Sequence, residues 1–562
     1  MNFELTREQK NIRDIVRKFA ETKIEPIAFQ LDEKNIFPEK IVNEMGELSI
    51  MGIPYSKEYG GSGGDVLSYA IAVEELSRVD GGVGVILSAH TSLGTWPIAE
   101  FGTEKQKQKY LVPLASGKKI AAFGLTEPNA GSDAGKTETT AVLEGDYYVI
   151  NGSKVFITNA DYADTYVIFA VTTPGIGSKG ISAFIIEKGM EGFTFGTHYN
   201  KMGIRSSATA ELLFKNLKIP RHNLLGKEGE GFKIAMQTLE GGRIGIAAQA
   251  LGIAQGAYEK ALSYSKERIQ FGKSISRQQS IAFKLADMAT KIRAARFMVY
   301  SSAVLKQEHR NYGTESAMAK LYASDICLEV VNDAVQIYGG SGFIKGFPVE
   351  RMYRDAKICT IYEGTNEIQK LIISNDILGK PKKDPVGENK ENKSKPITGN
   401  RRRVIIKEGS AKEKVDTFLN YIKSENIDIN TSAASKGSIA DADKVCSIGL
   451  GLKNKKDLPL IQSLANRIGA ELGCSRPVAE ERGWLPLDHY VGISGQKFNG
   501  TFYLAIGISG QVQHLKGIEN AGIITAINID EDAPIFQGAD YGIVGDLYEI
   551  VPILTEVLKK NL

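Results

Sequence analysis

Apolar residues recur at helical spacing along the first 118 residues of the chain. Ile12, Ile15 and Phe19 are three or four positions apart, as expected for one face of a helix. A glycine-rich break at 59–65 interrupts this pattern, and it lacks the Lys-Ser/Thr pair of a phosphate-binding loop. We interpret the break as a plain loop, and the pattern predicts an all-helical first domain over 1–118.

The pattern changes to short β-rich runs between residues 119 and 229. Runs of β-branched and aromatic residues alternate with turn residues there. The predicted strands are 119–125, 147–150, 165–171, 181–186 and 210–214. Asn151-Gly152 indicates a hairpin turn. A middle β-domain is therefore predicted over 119–229.

Helical periodicity returns over 232–311 and 315–338, which predicts a third, helical domain over 230–380. Arg243 is expected near the start of the first of these helices. It could contact an anion there, although a helix-surface arginine is the simpler interpretation. Later in this domain Glu363 lies on a turn ahead of a helix. It could serve as a base, or it could be an ordinary helix-start glutamate.

Residues 381–440 are rich in proline, glycine and charge and poor in apolar residues, which predicts a linker with one short helix over 412–424. Arg401-Arg402-Arg403 could bind a polyanion. No aromatic residues are interleaved with these arginines, as they would be in many nucleic-acid sites, and we favour a solvated run.

The last segment, 441–562, alternates short apolar runs with helical patterns. Strands are predicted at 445–448, 502–506 and 523–527, and helices at 458–472 and 547–559. This alternation indicates a parallel α/β sheet. The loops at 507–514 and 528–530 follow strands, and ligands of such sheets bind at the carboxyl ends of the strands.

The composition is that of an ordinary multidomain globular protein. The 562 residues are 42% hydrophobic and 24% charged, and 69 basic against 66 acidic side chains give a net charge of +3. This balance provides no general attraction for nucleic acid. The four cysteines form no C-x-x-C pair, so neither a metal site nor a disulfide framework is predicted, and a reducing cytoplasm is expected. No apolar run is long enough for a membrane span or an export signal.

Five motifs carry a resemblance to a known family. They are Phe123-Gly124-Leu125-Thr126-Glu127-Pro128-Asn129-Ala130-Gly131-Ser132-Asp133, Phe156-Ile157-Thr158-Asn159, Glu267-Arg268-Ile269-Gln270-Phe271-Gly272, Gln336-Ile337-Tyr338-Gly339-Gly340-Ser341-Gly342 and Ile361 to Gln369. With these motifs in this order, residues 1 to about 380 resemble an acyl-CoA dehydrogenase of the short-chain, butyryl-CoA type. The resemblance implies an α-helical domain, a β-barrel-like middle domain and a four-helix-bundle domain.

The resemblance also implies roles for individual residues. Glu363 is the expected catalytic base, and its backbone N–H is expected to hold the thioester oxygen. Substrate contacts are expected from Ser132, Arg243, Tyr362 and Gly364, with Ala89, Leu93 and Tyr362 as lining candidates. The first FAD is expected to contact Phe123, Leu125, Thr126, Ser132, Phe156, Thr158 and Thr365. Phe156 stands where the family often has tryptophan, and a phenyl ring can still stack.

A further set of residues matches family positions that hold the FAD of a neighbouring subunit. These are Arg268, Gln270, Phe271, Gln336, Gly339 and Gly340. Such a reach across an interface implies a homodimer or a homotetramer.

The C-terminal segment resembles the FAD-binding domain of the electron-transferring flavoprotein α subunit. The carriers are 473–477, 483–486, 491–495, 507–515 and 528–546. The implied contacts to a second FAD are Ser475, Arg476, Ser494, Ser509, His514, Asn528 and Asp546. Arg476 is expected near flavin N5 and His514 at the pyrimidine edge, although a histidine alone would more often be a core residue. Two departures, Leu450 for arginine and Ile493 for glutamine, remove polar groups from this site, which could instead bind AMP.

The sequence thus predicts an enzyme with two FAD groups per chain and no metal. The N-terminal unit, with the first FAD, is expected to interconvert a short-chain acyl-CoA and its trans-2-enoyl-CoA. The C-terminal unit, with the second FAD, is expected to relay electrons to or from external electron-transferring flavoprotein subunits. One alternative is an enoyl-CoA reductase component of an NADH-dependent, electron-bifurcating complex. Another is a non-enzymatic acyl-CoA or partner-binding scaffold, which is disfavoured because Glu363, Thr126 and Thr158 are all present.

Overall fold

The computed structural model describes residues 4–379, 404–424, 438–493 and 495–560. The chain divides into two compact units, 1–387 and 388–562. Arg401 to Arg403, Ser494 and most of the predicted linker lie outside the described residues.

The first unit begins and ends with helices. They are α1 (Arg7–Phe19), α2 (Glu25–Lys34), α3 (Glu39–Glu47), α4 (Val66–Ser77), α5 (Gly81–Ser88), α6 (Trp96–Phe101), α7 (Glu104–Gln106), α8 (Val112–Ala115), α9 (Gly231–Glu267), α10 (Gln279–Gln307), α11 (Gly313–Tyr338), α12 (Pro348–Ala356) and α13 (Asn366–Ile377). Thr6 starts α1 with a reciprocal capping box to Gln9. Helices α9, α10 and α11 pack on one another, and α4 packs on α9. The predicted helical first and third domains are confirmed.

An eight-stranded sheet lies between these helical parts. Its strands are β1 (Ala121–Gly124), β2 (Thr140–Glu144), β3 (Tyr147–Thr158), β4 (Thr165–Val171), β5 (Ile181–Glu187), β6 (Phe193–His198), β7 (Thr209–Pro220) and β8 (Leu224–Leu225). The order is β6-β7-β3-β2-β4-β5-β8, with β1 beside β4. All five predicted strands are present, whereas β2, β6 and β8 were not predicted.

The predicted hairpin turn at Asn151-Gly152 is wrong. β3 runs through these residues, and its pairing with β7 shifts between Ile150 and Gly152, which marks a bulge. Gly152 has a φ of 144°, and a Cβ there would lie 2.5 Å from Thr139 Oγ1. The actual turn is Gly145-Asp146, between β2 and β3. Both Asn-Gly and Gly-Asp suit such turns, and the local sequence did not separate them.

The predicted helical stretch 232–311 is two helices, α9 and α10. They are separated by a short hairpin of β9 (Ile269–Gln270) and β10 (Lys273–Ser274). Arg243 lies about three turns into α9 rather than near its start, and it is buried. Both the predicted position of Arg243 near the helix start and its interpretation as a surface arginine are therefore wrong.

The second unit is a six-stranded parallel sheet with helices. Its strands are β11 (Val404–Ile406), β12 (Lys444–Ile448), β13 (Glu471–Cys474), β14 (Phe502–Ile506), β15 (Ile523–Asn528) and β16 (Tyr541–Val544), and its helices are α14 (Ala411–Ser424), α15 (Leu458–Ile468), α16 (Val512–Ile518), α17 (Ile535–Gly538) and α18 (Leu547–Lys560). The order is β11-β16-β15-β14-β12-β13, and every pair is parallel. The predicted parallel α/β fold is confirmed.

Two details of the second unit differ from the sequence prediction. The helix predicted over 458–472 ends at Ile468, because Gly469 takes a left-handed conformation and β13 begins two residues later. Part of the predicted linker is folded: β11 pairs with β16, and α14 buries Phe418 and Leu419 against the sheet. Short elements of this kind become stable only through the sheet that they join.

Candidate active site

One cavity of about 780 Å³ in the first unit gathers most of the predicted site residues. Its lining includes Phe123, Leu125, Thr126, Ser132, Phe156, Thr158, Arg243, Tyr362, Glu363 and Gly364, together with the lining candidates Ala89 and Leu93. These residues come from the π-helical turn after α5, from β1 and β3 and the loop after β1, from α9, and from the turn before α13. A volume of this size suits a substantial organic ligand.

The turn before α13 presents Glu363 into this cavity. Glu363 has a φ of 55° and Gly364 a φ of 85°, so two successive residues adopt the left-handed conformation. The Thr365 hydroxyl then accepts the Ile368 N–H and caps α13. Thr365 does not line the cavity, whereas the backbone N–H of Glu363 makes no hydrogen bond to the described part of the chain.

The Glu363 carboxyl group is buried, and its Oε1 makes no hydrogen bond to the described residues. Burial raises its pKa to about 7, against the opposing charges of Arg243 and Lys320. The Arg243 Nε is likewise buried without a partner, and burial lowers the Arg243 pKa. A Cβ at Gly242 of α9 would overlap Glu363 Oε1. An unpaired carboxylate with a pKa near neutrality is suited to proton transfer.

The same cavity has groups that could contact a flavin ring. The Thr126 and Thr158 hydroxyls make no hydrogen bond within the described residues, so both are free for a ligand. Phe156 is 63% exposed and has a φ of 60°, which turns an aromatic ring outward from β3. A Cβ at Gly131 would meet nothing within 4 Å. These residues fit FAD, which would lie against Thr126, Thr158 and the nearby aromatic rings.

A second groove, of about 630 Å³, lies where α9 ends and α11 ends. It is lined by Arg268, Gln270, Phe271, Gly339 and Gly340, whereas Gln336 lies in the last turn of α11 without lining it. Phe271 is 93% exposed, and a Cβ at either glycine would meet nothing within 4 Å. This open, partly apolar surface has room for a ligand or another chain.

In the second unit, most of the predicted cofactor residues lie at one edge of the parallel sheet. Ser475 and Arg476 follow β13, Ser509 follows β14, Asn528 ends β15 and Asp546 follows β16. The carboxyl ends of parallel strands meet at the same edge, where ligands of such sheets bind. The sheet therefore brings these five residues to one side of the unit, while Ser494 is outside the described residues.

His514 and Arg476 differ in how available they are to a ligand. His514 is buried, its Nε2 contacts the Tyr503 hydroxyl at 2.9 Å, and its Nδ1 has no partner among the described residues. Burial lowers the His514 pKa to about 4, so the ring is neutral. Arg476 is exposed and pairs with Glu480 at 2.7 Å. Exposed pairs of this kind are weak, and a bound anion could replace the partner.

Three residues that shape the first site were not predicted from sequence. Gly242 leaves the space occupied by the Glu363 carboxyl group. Lys320 and Gln369 donate hydrogen bonds to the backbone of the turn that carries Glu363. Gly241 and Gly242 are adjacent within a predicted helix, and this unusual pair could have indicated a close contact at Gly242. Lys320 had a weaker signal, a lysine on the apolar face of α11 among buried alanines.

The fold and this cavity, with its buried carboxyl group, are those of a flavoprotein oxidoreductase. Family models for the N-terminal, middle and C-terminal domains of acyl-CoA dehydrogenase match residues 6–118, 122–217 and 229–378. A model described as the electron transfer flavoprotein FAD-binding domain matches residues 438–519.

Known proteins support the same assignment. The chain is 60% identical over 378 residues to a short-chain specific acyl-CoA dehydrogenase of Clostridium acetobutylicum, covering 67% of this chain and 100% of the relative. It is 48% identical to a subunit of the caffeyl-CoA reductase–Etf complex of Acetobacterium woodii, covering 66% and 99%. The structure of butyryl-CoA dehydrogenase from Megasphaera elsdenii matches with a TM-score of 0.67 and 50% identity, covering 67% and 100%.

The chain belongs to the acyl-CoA dehydrogenase family, and it carries an additional electron transfer flavoprotein FAD-binding domain. It is a flavoprotein enzyme that acts on the CH–CH bond of acyl-CoA. Within the described residues, no helix combines the length and apolar character needed to cross a membrane. The same part of the chain contains no grouping of three acidic, cysteine or histidine side chains suited to a metal ion.

Proposed function

We propose that Glu363 removes the α-proton of a short-chain acyl-CoA, and that a FAD held by Thr126, Thr158 and the nearby aromatic rings would supply the acceptor for the hydride of the β-carbon. The observation that supports this role is the buried Glu363 Oε1, which makes no hydrogen bond to any described residue and lines the same cavity as Thr126 and Thr158. An α-proton of a thioester is weakly acidic, so its removal needs an oriented base.

The same turn provides a second element of this chemistry. The free backbone N–H of Glu363 is placed to donate to the thioester oxygen, where negative charge develops as the proton leaves. The Tyr362 hydroxyl is held by the Gln249 side chain, which keeps Tyr362 against the cavity wall. Arg243 adds a buried positive charge near the substrate. The reverse reaction uses the same groups, with protonated Glu363 as the acid.

The pH dependence of the reaction tests this assignment. Only deprotonated Glu363 can accept the α-proton, and its pKa is about 7. We expect kcat/KM for butyryl-CoA oxidation to rise as pH increases through about 7 and to level off above it. A stopped-flow series of flavin reduction from pH 5.5 to 9 measures this. A profile flat from 5.5 to 9 would contradict Glu363 as the titrating base.

We further propose that each chain binds two FAD groups, the second at the carboxyl edge of the β11–β16 sheet. Arg476, Ser509, Asn528 and Asp546 lie at this edge, and the buried His514 ring, which is close to the Val491 backbone, lies five residues beyond Ser509. The match to an electron transfer flavoprotein FAD-binding domain supports the assignment. Tethering raises the effective concentration of one flavin near the other to roughly the millimolar range. The second flavin would relay electrons to or from external flavoprotein subunits.

The flavin content of the purified protein tests the second site. We expect two FAD molecules per chain after incubation with FAD and gel filtration, measured by absorbance of the released cofactor. A Glu363→Gln variant should retain both, because Glu363 does not hold either cofactor. One FAD per chain, or one FAD and one AMP, would overturn the two-flavin proposal and leave the dehydrogenase proposal intact.

A second candidate function is enoyl-CoA reduction driven by NADH through partner flavoprotein subunits. The similarity to a subunit of a caffeyl-CoA reductase–Etf complex favours it. The catalytic groups serve both directions, so the partner determines the net flow. Crotonyl-CoA reduction with NADH, measured with and without added electron-transferring flavoprotein subunits, separates the two. Strict dependence on the added subunits supports the relay, whereas turnover with NADH alone contradicts it.

The assembly and cellular setting are also proposals. The exposed groove with Phe271, Gly339 and Gly340 supports a homodimer or homotetramer in which one subunit contacts its neighbour's FAD. The four cysteines are free and buried, which fits a reducing cytoplasm. The family-model limits support the proposed domains at 1–118, 119–229 and 230–380, and the match over 438–519 supports a last domain beginning near 441. Because β11 and α14 pack in the second unit, we extend this last domain to include 404–424 and propose a linker shorter than 381–440.

A further inference from the structure

The side-chain amide of Gln369 forms hydrogen bonds to the backbone of the turn that carries Glu363. Gln369 is fully buried, and its Nε2 donates to the carbonyl oxygens of Glu363, Gly364 and Thr365 at 3.1, 2.8 and 3.4 Å. Three successive carbonyl groups thus converge on one nitrogen. The orientation of the amide is fixed by this environment, because its oxygen could not face three carbonyl oxygens.

A lysine supports the same turn from the neighbouring helix. Lys320 of α11 is buried, and its Nζ donates to Gly364 O and Asn366 Oδ1, both at 2.8 Å. Asn366 in turn donates to Ser324 Oγ at 2.9 Å and to Asp325 Oδ1 at 2.7 Å. This connects the start of α13 to α11, so the turn is anchored to two rigid elements.

The conformation of the turn explains why it needs these contacts. Glu363 is not glycine, and a left-handed φ is unfavourable for it unless the surroundings impose it. Without the Gln369 and Lys320 side chains, the Glu363 and Gly364 carbonyl groups would lose these hydrogen bonds, whereas Thr365 O would keep the one from the Gln369 backbone N–H at 3.0 Å. The turn would then relax toward ordinary backbone angles and rotate both the carboxyl group and the Glu363 N–H.

We propose that Gln369 is a positioning residue for the reaction, acting through Glu363 by holding the turn in its left-handed conformation. This rests on the proposed role of Glu363 as the base. A displacement of about 1 Å at a reacting group can lower a rate by about 10²-fold. We therefore expect Gln369→Leu and the isosteric Gln369→Glu to lower kcat for butyryl-CoA oxidation about 10²-fold, with a small change in KM and with FAD retained.

A double-mutant cycle distinguishes positioning from a general structural role. If Gln369 acts through Glu363, Gln369→Leu should have almost no further effect on the residual rate of a Glu363→Gln protein. A structural role elsewhere would give multiplicative losses. The kinetic isotope effect with α-deuterated butyryl-CoA should also increase in Gln369→Leu, because proton removal becomes rate-limiting.

A matched control is available in the same unit. Gln106 is also buried, and its Nε2 donates to the His222 and Leu224 carbonyl oxygens at 2.8 and 2.9 Å, remote in sequence from the turn. Gln106→Leu should leave the rate and isotope effect unchanged. Full activity in both Gln369 variants would overturn the proposal. Full activity in Glu363→Gln would instead overturn the function on which it rests.

Discussion

Replacement of Glu363 by glutamine is expected to lower the rate of flavin reduction by butyryl-CoA about 10²- to 10⁴-fold, since a general base contributes roughly this much. Glutamine has nearly the same shape but cannot accept the α-proton. FAD binding should survive, because the proposed flavin contacts, Thr126 and Thr158, are on other elements. Anaerobic stopped-flow absorbance measures the rate, and the visible spectrum before mixing reports the bound cofactor.

The stability of the same variant shows whether the loss reflects chemistry or folding. The pKa of Glu363 is raised from 4.5 to about 7 in the folded protein, so the folded state holds a proton that the unfolded chain releases over this window. Stability is therefore lost as pH rises from about 4.5 to 7. Above pH 7, Glu363→Gln should remove a penalty of up to about 3 kcal/mol. A variant that is both less active and less stable at pH 8 would contradict this account.

Glu367→Gln is the matched control for this experiment. Glu367 is in the first turn of α13, four residues beyond Glu363, and it is exposed. Its substitution should leave flavin reduction almost unchanged. A large loss of activity in Glu367→Gln, together with normal activity in Glu363→Gln, would show that Glu367 and not Glu363 is the base.

Replacement of Lys154 by methionine is expected to cost about 3–5 kcal/mol of stability in the first unit, the usual effect of breaking a buried ion pair from one side. Lys154 Nζ is 2.5 Å from Glu127 Oε1, and both side chains are buried. Glu127 also accepts the N–H groups of Glu138 and Thr139. Because Glu127 follows Thr126 directly, the same change should weaken FAD binding at the first site.

The two tryptophans allow this effect to be measured in one unit. Trp96 is in the first unit and Trp484 in the second, so fluorescence in a Trp484→Phe background reports unfolding around Trp96 alone. In urea titrations, Lys154→Met should shift the transition strongly. Adding Glu127→Gln should recover part of the loss, because it removes the uncompensated buried charge. Lys218→Met, at an exposed position on β7, should change stability by less than about 0.5 kcal/mol. Equal shifts in the Lys154 and Lys218 variants would refute the ion-pair account.

The site was largely predictable where its determinants are local in sequence. Glu363, Gly364 and Thr365 are adjacent, and the turn and helix cap follow from these residue types. The predicted contact residues around Thr126 line the same cavity as Glu363. The contacts that hold the turn were not predictable in this way. Lys320 lies 44 residues before Gly364, and only the packing of α11 on α13 brings them together.

In the fold, too, elements determined by local sequence were predictable and elements determined by distant pairing were not. Strand β4 begins and ends at the predicted residues because six of its seven residues are β-branched or aromatic and the seventh is alanine. Asn151-Gly152 was mistaken for a turn, since only the pairing of β3 with β7 reveals a bulge there. Strand β11 has three residues and a polar neighbourhood, so no periodicity could indicate it before its partner β16 was known.

The position of β11 also determines where mechanical force enters the second unit. β11 is at one edge of the six-stranded sheet, and β13, which leads into Arg476, is at the other. Five steps between neighbouring strands separate them, or about 24 Å. A pull applied at Val404, the first residue of β11, therefore acts on the edge of the sheet opposite the Arg476 loop, and its strain is not applied directly to that loop.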